Sequence, residues 1–258
     1  MLPTCLVRRV YLMNNIEKLA NRLRLPYIKN NYLEAINEAM SRQYSYEQFL
    51  EYLLIKENEA RDQNGINRRI KAAKFPYLKY LLDLKYDAFP LEISNKIREL
   101  QSLSFIHQGR NVILVGNPGV GKTHTSIGLG IKACMEGMNV LYITVPNLIT
   151  ELKESMTLNQ LTNYKKRFIN YDLVILDELG YISFDKQGSE LLFNLLSMRN
   201  ETKSIIITTN LTFNRWQEIF NDPTLTAAMV DRLTHKAHVI NIKGDSYRLK
   251  ETKDWLNC

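Results

Sequence analysis

Two rhythms of apolar and polar residues divide the chain. Across residues 14–100 apolar positions recur at helical spacing and no segment alternates as a strand does. Phe49, Leu50, Leu53 and Leu54 form one such stripe, and Ser45 with Gln48 has the spacing of a capping box at its start. The pattern predicts a helix to about Arg61 that frays at Asp62-Gln63-Asn64-Gly65. A second helix begins near Ile66 and meets Phe75-Pro76, where the proline imposes a boundary. Pro90 marks a further boundary, and Glu92 to Leu103 reads as a helix leading into the next domain.

From Asn111 the pattern changes to short β-branched runs separated by helical stretches. Asn111–Val115, Asn139–Val145, Asp172–Leu176, Lys203–Thr209 and Ala237–Ile242 read as five strands. Helices between them predict an α/β fold, a mostly parallel five-stranded sheet with helices on both faces. Residues 147–169 make a long connection that reads as two helices broken near Thr157-Leu158-Asn159. The expected division is a small all-helical domain over 13–90 and the α/β domain over 91–258. Residues 1–12 read as an N-terminal extension, because Met13 followed by Asn14 and Glu17 at capping-box spacing is the more natural beginning.

Composition adds charge asymmetry to this picture. The hydrophobic share of 45% and charged share of 24% are those of a soluble globular protein. No apolar run approaches the roughly 20 residues that span a bilayer, so no membrane partner is expected. Cys5, Cys134 and Cys258 are widely separated and form no metal-type pair, which points to a reduced, cytoplasmic compartment. The net charge is +7. Residues 1–110 carry 18 Lys and Arg against 12 Asp and Glu, whereas residues 111–258 carry 16 against 15. The excess positive charge therefore lies before the sheet, which implies a polyanion met by the N-terminal region.

The chemistry is concentrated after the strand at 111–115. Gly116, Asn117, Pro118, Gly119, Val120, Gly121, Lys122 and Thr123 fit the pattern G-x-x-x-x-G-K-[ST], followed by a helix that stops at Gly137. Backbone N–H groups of such a loop wrap a polyphosphate at the helix N-terminus, Lys122 reaches the β- and γ-phosphates, and the Thr123 hydroxyl ligates Mg²⁺. The third strand leads into Asp177-Glu178: the first carboxylate holds the Mg²⁺ shell, and the second is suited to orient and deprotonate a water. The fourth strand leads into Asn210, whose amide can bond both a γ-phosphate and an attacking water. Arg232, before the last strand, and Arg248, after it, are guanidinium donors of the kind that stabilise phosphoryl transfer.

The set Gly116–His124, Leu176–Tyr181, Thr208–Asn210, Asp231–Leu233 and Ser246–Arg248 resembles the IstB/DnaC-like branch of the AAA+ ATPases. Arg68 to Pro76 resembles the basic segment preceding the ATPase domain of IstB proteins, and Tyr181 to Arg199 is more similar to IstB than to helicase loaders. The resemblance covers roughly residues 14–250. It implies a Mg²⁺-dependent ATPase that forms a homo-oligomer on duplex DNA, with little sequence preference, remodels that DNA and stimulates a partner transposase. It assigns 116–124, including His124, to the nucleotide, and Thr123 and Asp177 to the metal, Asp177 through water. Glu178 becomes the base, Asn210 sensor 1, Arg232 a finger acting in trans and Arg248 sensor 2. The helices at 147–169 become the insertion that faces DNA. After Arg248 ten residues remain, too few for a helical lid, a departure shared by this branch.

Candidate DNA contacts form two groups. Arg61, Arg68, Arg69, Lys71, Lys74 and Lys79 lie near Phe75 and Tyr77, and Lys153, Lys165, Lys166 and Arg167 lie on the insertion. Two other readings compete. A DnaC-like replicative helicase loader would favour single strands. A small-molecule kinase would not need Asn210 and Arg232 at these stations.

Overall fold

The computed structural model describes residues 15–244, 246, 247, 252 and 255. The proposed extension at 1–12, Asn14 of the first capping box and Arg248 lie outside the described residues. The chain forms two compact units that divide between Arg68 and Arg69.

In the first unit residues 15–22 are helical, followed by α1 (Pro26–Ser41) and the greater part of α2 (Tyr46–Ala72). The capping box at Ser45 forms as its spacing predicts: Ser45 N–H donates to Gln48 Oε1 at 2.8 Å, and Gln48 N–H to Ser45 Oγ at 3.2 Å. The expected break at 62–65 does not occur, and α2 runs through it for 27 residues. A glycine inside a helix costs only about 1 kcal/mol. Side-chain bonds from Asn58 to Asp62 and from Gln63 to Asn67, each 3.1 Å, bridge successive turns across the weak point.

Glu57 joins α1 to α2. It is 4% exposed, and its Oε2 accepts the N–H groups of Tyr27 and Ile28 at 3.0 and 3.1 Å. Leu25, at the N-cap of α1, has no side-chain cap of its own. The carboxylate from α2 therefore satisfies the unpaired donors of α1 and meets the positive end of its dipole. Arg61 Nε lies 3.5 Å from Glu57 Oε1, and its Nη2 donates to the Arg24 carbonyl at 3.0 Å.

The second unit holds the sheet: β1 (Val112–Gly116), β2 (Val140–Thr144), β3 (Leu173–Leu179), β4 (Ser204–Thr209) and β5 (His238–Ile242). Their order is β2-β3-β4-β1-β5, with every pair parallel. Alternate residues supply two cores. Ile113, Val115, Val174, Leu176, Ile205 and Ile207 face one side, against α5 (Val145–Thr157), α6 (Leu161–Ile169), α7 (Lys186–Ser197) and α8 (Pro223–Thr234). Leu114, Tyr142, Ile175 and Ile206 face the other, against α3 (Leu91–Leu100) and α4 (Lys122–Met135). Burial on both faces is why these strands read as unbroken apolar runs. The break between α5 and α6 falls at 158–160, with Asn159 in the left-handed region at φ 55°.

Two boundaries differ from expectation. The third strand does not end at Leu176 but continues to Leu179, so that it includes Asp177 and Glu178. The boundary anticipated near residue 90 lies at 68/69. Residues 69–90 carry few strand signals, yet they pack on the sheet unit. The Ala73 carbonyl accepts from Tyr142 N–H on edge strand β2 at 2.8 Å. Gly130 and Gly128 on α4 leave room for Phe75 and Leu81, where an added Cβ would meet those side chains at 2.9 and 2.7 Å. The absence of a lid after β5 concerns a stretch largely outside the described residues. Among the described residues no helix is long and apolar enough to cross a membrane.

Glu57→Ala should destabilise the first unit by roughly 1–3 kcal/mol, because two buried donors lose their acceptor. Amide hydrogen exchange at Tyr27 and Ile28 should accelerate accordingly, with less change in Glu57→Gln, which keeps an acceptor oxygen.

Candidate nucleotide site

The loop after β1 adopts a conformation that only its glycines tolerate. Gly121 has φ 95°, and a Cβ there would lie 3.2 Å from Phe89 Cζ. Lys122 opens α4 and is buried; its Nζ donates to the carbonyls of Gly116 and Asn117 at 2.7 and 2.8 Å. A cavity of about 450 Å³ lies over this loop, lined in part by Gly119, Lys122, Thr123, Asp177, Glu178 and Thr208. Leu84, Phe89, Ile242 and Tyr247 give it an apolar flank, and Lys85 sits 4.9 Å above the Tyr247 ring. Tyr247 N–H donates to the Gly119 carbonyl at 3.0 Å, and His124 Nε2 lies 2.8 Å from the Tyr80 carbonyl.

Strand alternation brings the polar groups together. Ile175 and Ile206 face α4, so Asp177 and Thr208, two residues on, face it as well. Tyr142 on β2 does the same. Asp177 is 2% exposed, and among the described residues its carboxylate is bonded by hydroxyls. Thr123 Oγ1 donates to Oδ1 at 3.2 Å, Thr208 Oγ1 donates to the same oxygen, and Tyr142 Oη donates to Oδ2 at 2.5 Å. Burial first, and then the bond to Asp177, raise the Tyr142 pKa above its ordinary value, which keeps the phenol a donor.

The register of β3 against β4 shifts between Leu176 and Leu179. Glu178 occupies this irregularity at φ 65°, with its side chain exposed. Its N–H donates to Thr208 Oγ1 at 3.1 Å. Thr208 thus joins the two acidic residues, accepting from the backbone of one and donating to the carboxylate of the other. Strand alternation aims Asp177 into the site, and the bulge leaves Glu178 exposed at the cavity's rim.

Asn210 follows β4 and is half-buried, and its buried Oδ1 has no hydrogen-bond partner among the described residues. It lines a neighbouring cleft of about 380 Å³ with Asn117, Pro118, Tyr181 and Arg215. Arg232 does not line either of these cavities. It is exposed on α8, with its guanidinium 4.6 Å over the Phe193 ring and Nη1 bonded to Ser197 Oγ.

The basic residues are dispersed among several tasks. Arg61 is engaged within the first unit as described, where Arg68 is exposed. Arg69 Nε donates to the Cys134 carbonyl at 2.8 Å, at the end of α4. Lys74 lies 3.9 Å from Glu151, Lys153 pairs with Asp185 at 2.7 Å, and Lys79 lines the cavity over the glycine loop. Lys71, Lys166 and Arg167 are exposed, Lys165 is half-buried, and the Arg167 guanidinium stacks 5.4 Å from Tyr164.

Sequence reasoning did not single out Tyr142 and Thr208. Thr208 belonged to the Thr208–Asn210 motif, and counting by twos from the buried Ile206 would have found it. Tyr142 offered a weaker signal, a phenol within an apolar strand.

The parallel order β2-β3-β4-β1-β5, with a glycine loop after β1 and an acidic pair on β3, defines a P-loop ATP-binding protein of the AAA+ class. The family model for IstB-like ATP binding proteins matches residues 18–254, and the chain belongs to that family. It is 37% identical to an insertion sequence IS21 ATP-binding protein of Pseudomonas aeruginosa, over 93% of this chain and 91% of that one. It is 34% identical to an insertion sequence IS5376 ATP-binding protein of Geobacillus stearothermophilus, over 92% and 95%. The crystal structure of the DnaC helicase loader is similar in fold, with a TM-score of 0.51 at 22% identity over 68% of this chain and 99% of that one.

Thr208→Val keeps the shape of the side chain but removes both bonds. It should lower stability by roughly 1–3 kcal/mol in urea unfolding, because buried Asp177 loses a donor and the Glu178 N–H its acceptor. Thr208→Ser should restore most of that loss.

Proposed function

We propose that the chain hydrolyses ATP with Mg²⁺ and assembles through that site as a homo-oligomer on duplex DNA, where it remodels the target and stimulates a partner transposase. The observation that carries the catalytic part is the buried Asp177 carboxylate, held at the end of the sheet beside Lys122, Thr123 and the bulged Glu178. These groups suit the metal: a hydroxyl and a carboxylate are hard oxygen donors, and Mg²⁺ bound by so few protein groups relies on substrate phosphates and water. Thr123 would hold the ion directly and Asp177 through water; once bound, it offsets the negative charge of the phosphates. Lys122, now donating to two loop carbonyls, would donate to the β- and γ-phosphates instead.

Glu178 is the proposed base. Its exposed carboxylate can take the proton of an attacking water, and Asn210, which lines the adjoining cleft, would turn its amide toward that water and the γ-phosphate as sensor 1. Arg232 lies outside its own subunit's nucleotide cavity, which supports a role toward the ATP of a neighbouring subunit. Arg248 would act as a second sensor. His124 and residues 116–123 complete the nucleotide contacts.

The DNA and transposase assignments rest on the relatives, whose names place them in insertion sequences. Exposed Arg68, Lys71, Lys166 and Arg167 are the strongest candidates for phosphate contacts. Arg61, Lys74, Lys79, Lys153 and Lys165 would contribute secondarily, and Arg69 through its remaining donors. The helical part before the sheet would serve DNA binding and assembly, in a cytoplasmic protein.

Glu178→Gln should retain ATP binding and ATP-dependent assembly on duplex DNA, seen by size and negative-stain imaging, while turnover falls by about 100-fold or more. Normal turnover in that variant would remove Glu178 from its role, and preference for single-stranded over duplex DNA would favour the helicase-loader reading. Arg232→Ala should bind nucleotide yet lose DNA-stimulated hydrolysis. Mixing it with Lys122→Ala subunits should recover part of the activity, since some interfaces then pair an intact loop with an intact arginine. No recovery at any ratio would argue against action between subunits.

A further inference from the structure

Tyr142 stands where two features meet that the proposed chemistry does not connect. At one end its phenol donates to Asp177 Oδ2 at 2.5 Å, on the oxygen that neither Thr123 nor Thr208 reaches. At the other its backbone N–H donates to the Ala73 carbonyl at 2.8 Å. The Phe75 ring packs on the Tyr142 ring with centroids 6.2 Å apart and planes at 58°. Ala73 is fully buried, and Phe75 is wedged against Gly130 of α4. Just before them, Arg69 is fixed to the Cys134 carbonyl at the far end of the same helix. The segment leaving the basic stretch is therefore inlaid along the free edge of β2, and one side chain spans from it to the acid.

The physical consequence follows from the geometry of a carboxylate. Two hydroxyls anchor Oδ1 alone, and the third donor, on Oδ2, anchors the other oxygen, so that both ends of the carboxylate are held and its plane is set from two sides. A metal-shell carboxylate held in one orientation meets the ion's water without first losing rotational freedom, and partners of this kind govern metal affinity. The Tyr142 ring cannot shift without disturbing both its phenol bond and its contact with Phe75.

We infer that Tyr142 is a positioning residue, which orients Asp177 for the magnesium shell and ties that carboxylate to the Ala73–Phe75 segment. The inference rests on the reading of the cavity as an ATP–magnesium site. It adds a mechanical link between that site and the stretch carrying Arg69, Lys71 and Lys74. Occupation of the magnesium shell then stiffens Ala73–Phe75, and by linkage displacement of the segment weakens the shell.

Tyr142→Phe tests this, because it removes only the hydroxyl. A fluorescent ATP analogue titrated in EDTA should bind as it does to the wild-type chain. The Mg²⁺ concentration that half-restores tight binding should rise about tenfold. Amide exchange should show Mg²⁺–ATP protection at residues 73–76 in the wild-type chain and its loss in Tyr142→Phe, with protection at residues 119–123 retained. Phe75→Leu, which leaves the phenol in place, should raise the Mg²⁺ requirement in the same direction by a smaller factor. An unshifted Mg²⁺ requirement in Tyr142→Phe overturns the positioning role, and a shift in that variant alone overturns the link to the segment. A wild-type chain whose nucleotide binding does not respond to Mg²⁺ sinks the underlying reading, and this inference with it.

Discussion

A carboxylate buried at the end of a strand is costly to desolvate, by several kcal/mol even after the protein relaxes around it. Asp177 is in that position, and the surrounding structure is arranged to offset the cost. Three hydroxyls converge on it from three elements: Thr123 from α4, Thr208 from β4 and Tyr142 from β2. Among the described residues these three donors are neutral hydroxyls. Such donors satisfy the oxygens without cancelling the field.

The sheet order makes the convergence possible. β4 lies between β1, which carries the glycine loop, and β3, which carries the acids. A parallel sheet presents all its C-terminal ends on one edge, so residues far apart in sequence meet there. Thr208 is 31 residues from Asp177 and Tyr142 is 35, yet register and strand alternation put their side chains on one face. Asp177 keeps the strand's alternation and is buried, whereas Glu178 takes a left-handed backbone at the irregularity in β3 and is exposed at the rim of the same cavity. Two adjacent carboxylates thereby acquire different environments, one buried and one exposed.

Positive charge is used less uniformly than its count suggests. Arg61 and Arg69 act partly as donors to main-chain carbonyls, and Lys153 in an ion pair. Arg199 is the extreme case. Fully buried, with its pKa lowered to about 10 by desolvation, it binds the carbonyls of Phe168, Tyr171 and Ser204 and fastens the end of α6 to β4. A basic residue in the sequence is thus as able to close the fold as to meet a polyanion.

The glycine loop, the five strands and the paired helices of the insertion were legible in the sequence because each rests on local physics: the φ freedom of Gly121, the apolar runs of a sheet buried on both faces, a capping box at Ser45. Asp177, Glu178, Asn210 and Lys122 stood out as candidates for the same reason, as polar residues that end an apolar run or open a helix. What the sequence could not determine depends on groups distant along the chain. Side-chain bonds carry α2 through Gly65, and two glycines of α4 admit Phe75 and Leu81, moving the domain boundary to residue 69. The tertiary structure alone decided that Thr208 joins the acids and that Tyr142 reaches from the segment after α2 to Asp177. Hydrogen-bond partners across strands are set by register, and register is a property of the folded sheet.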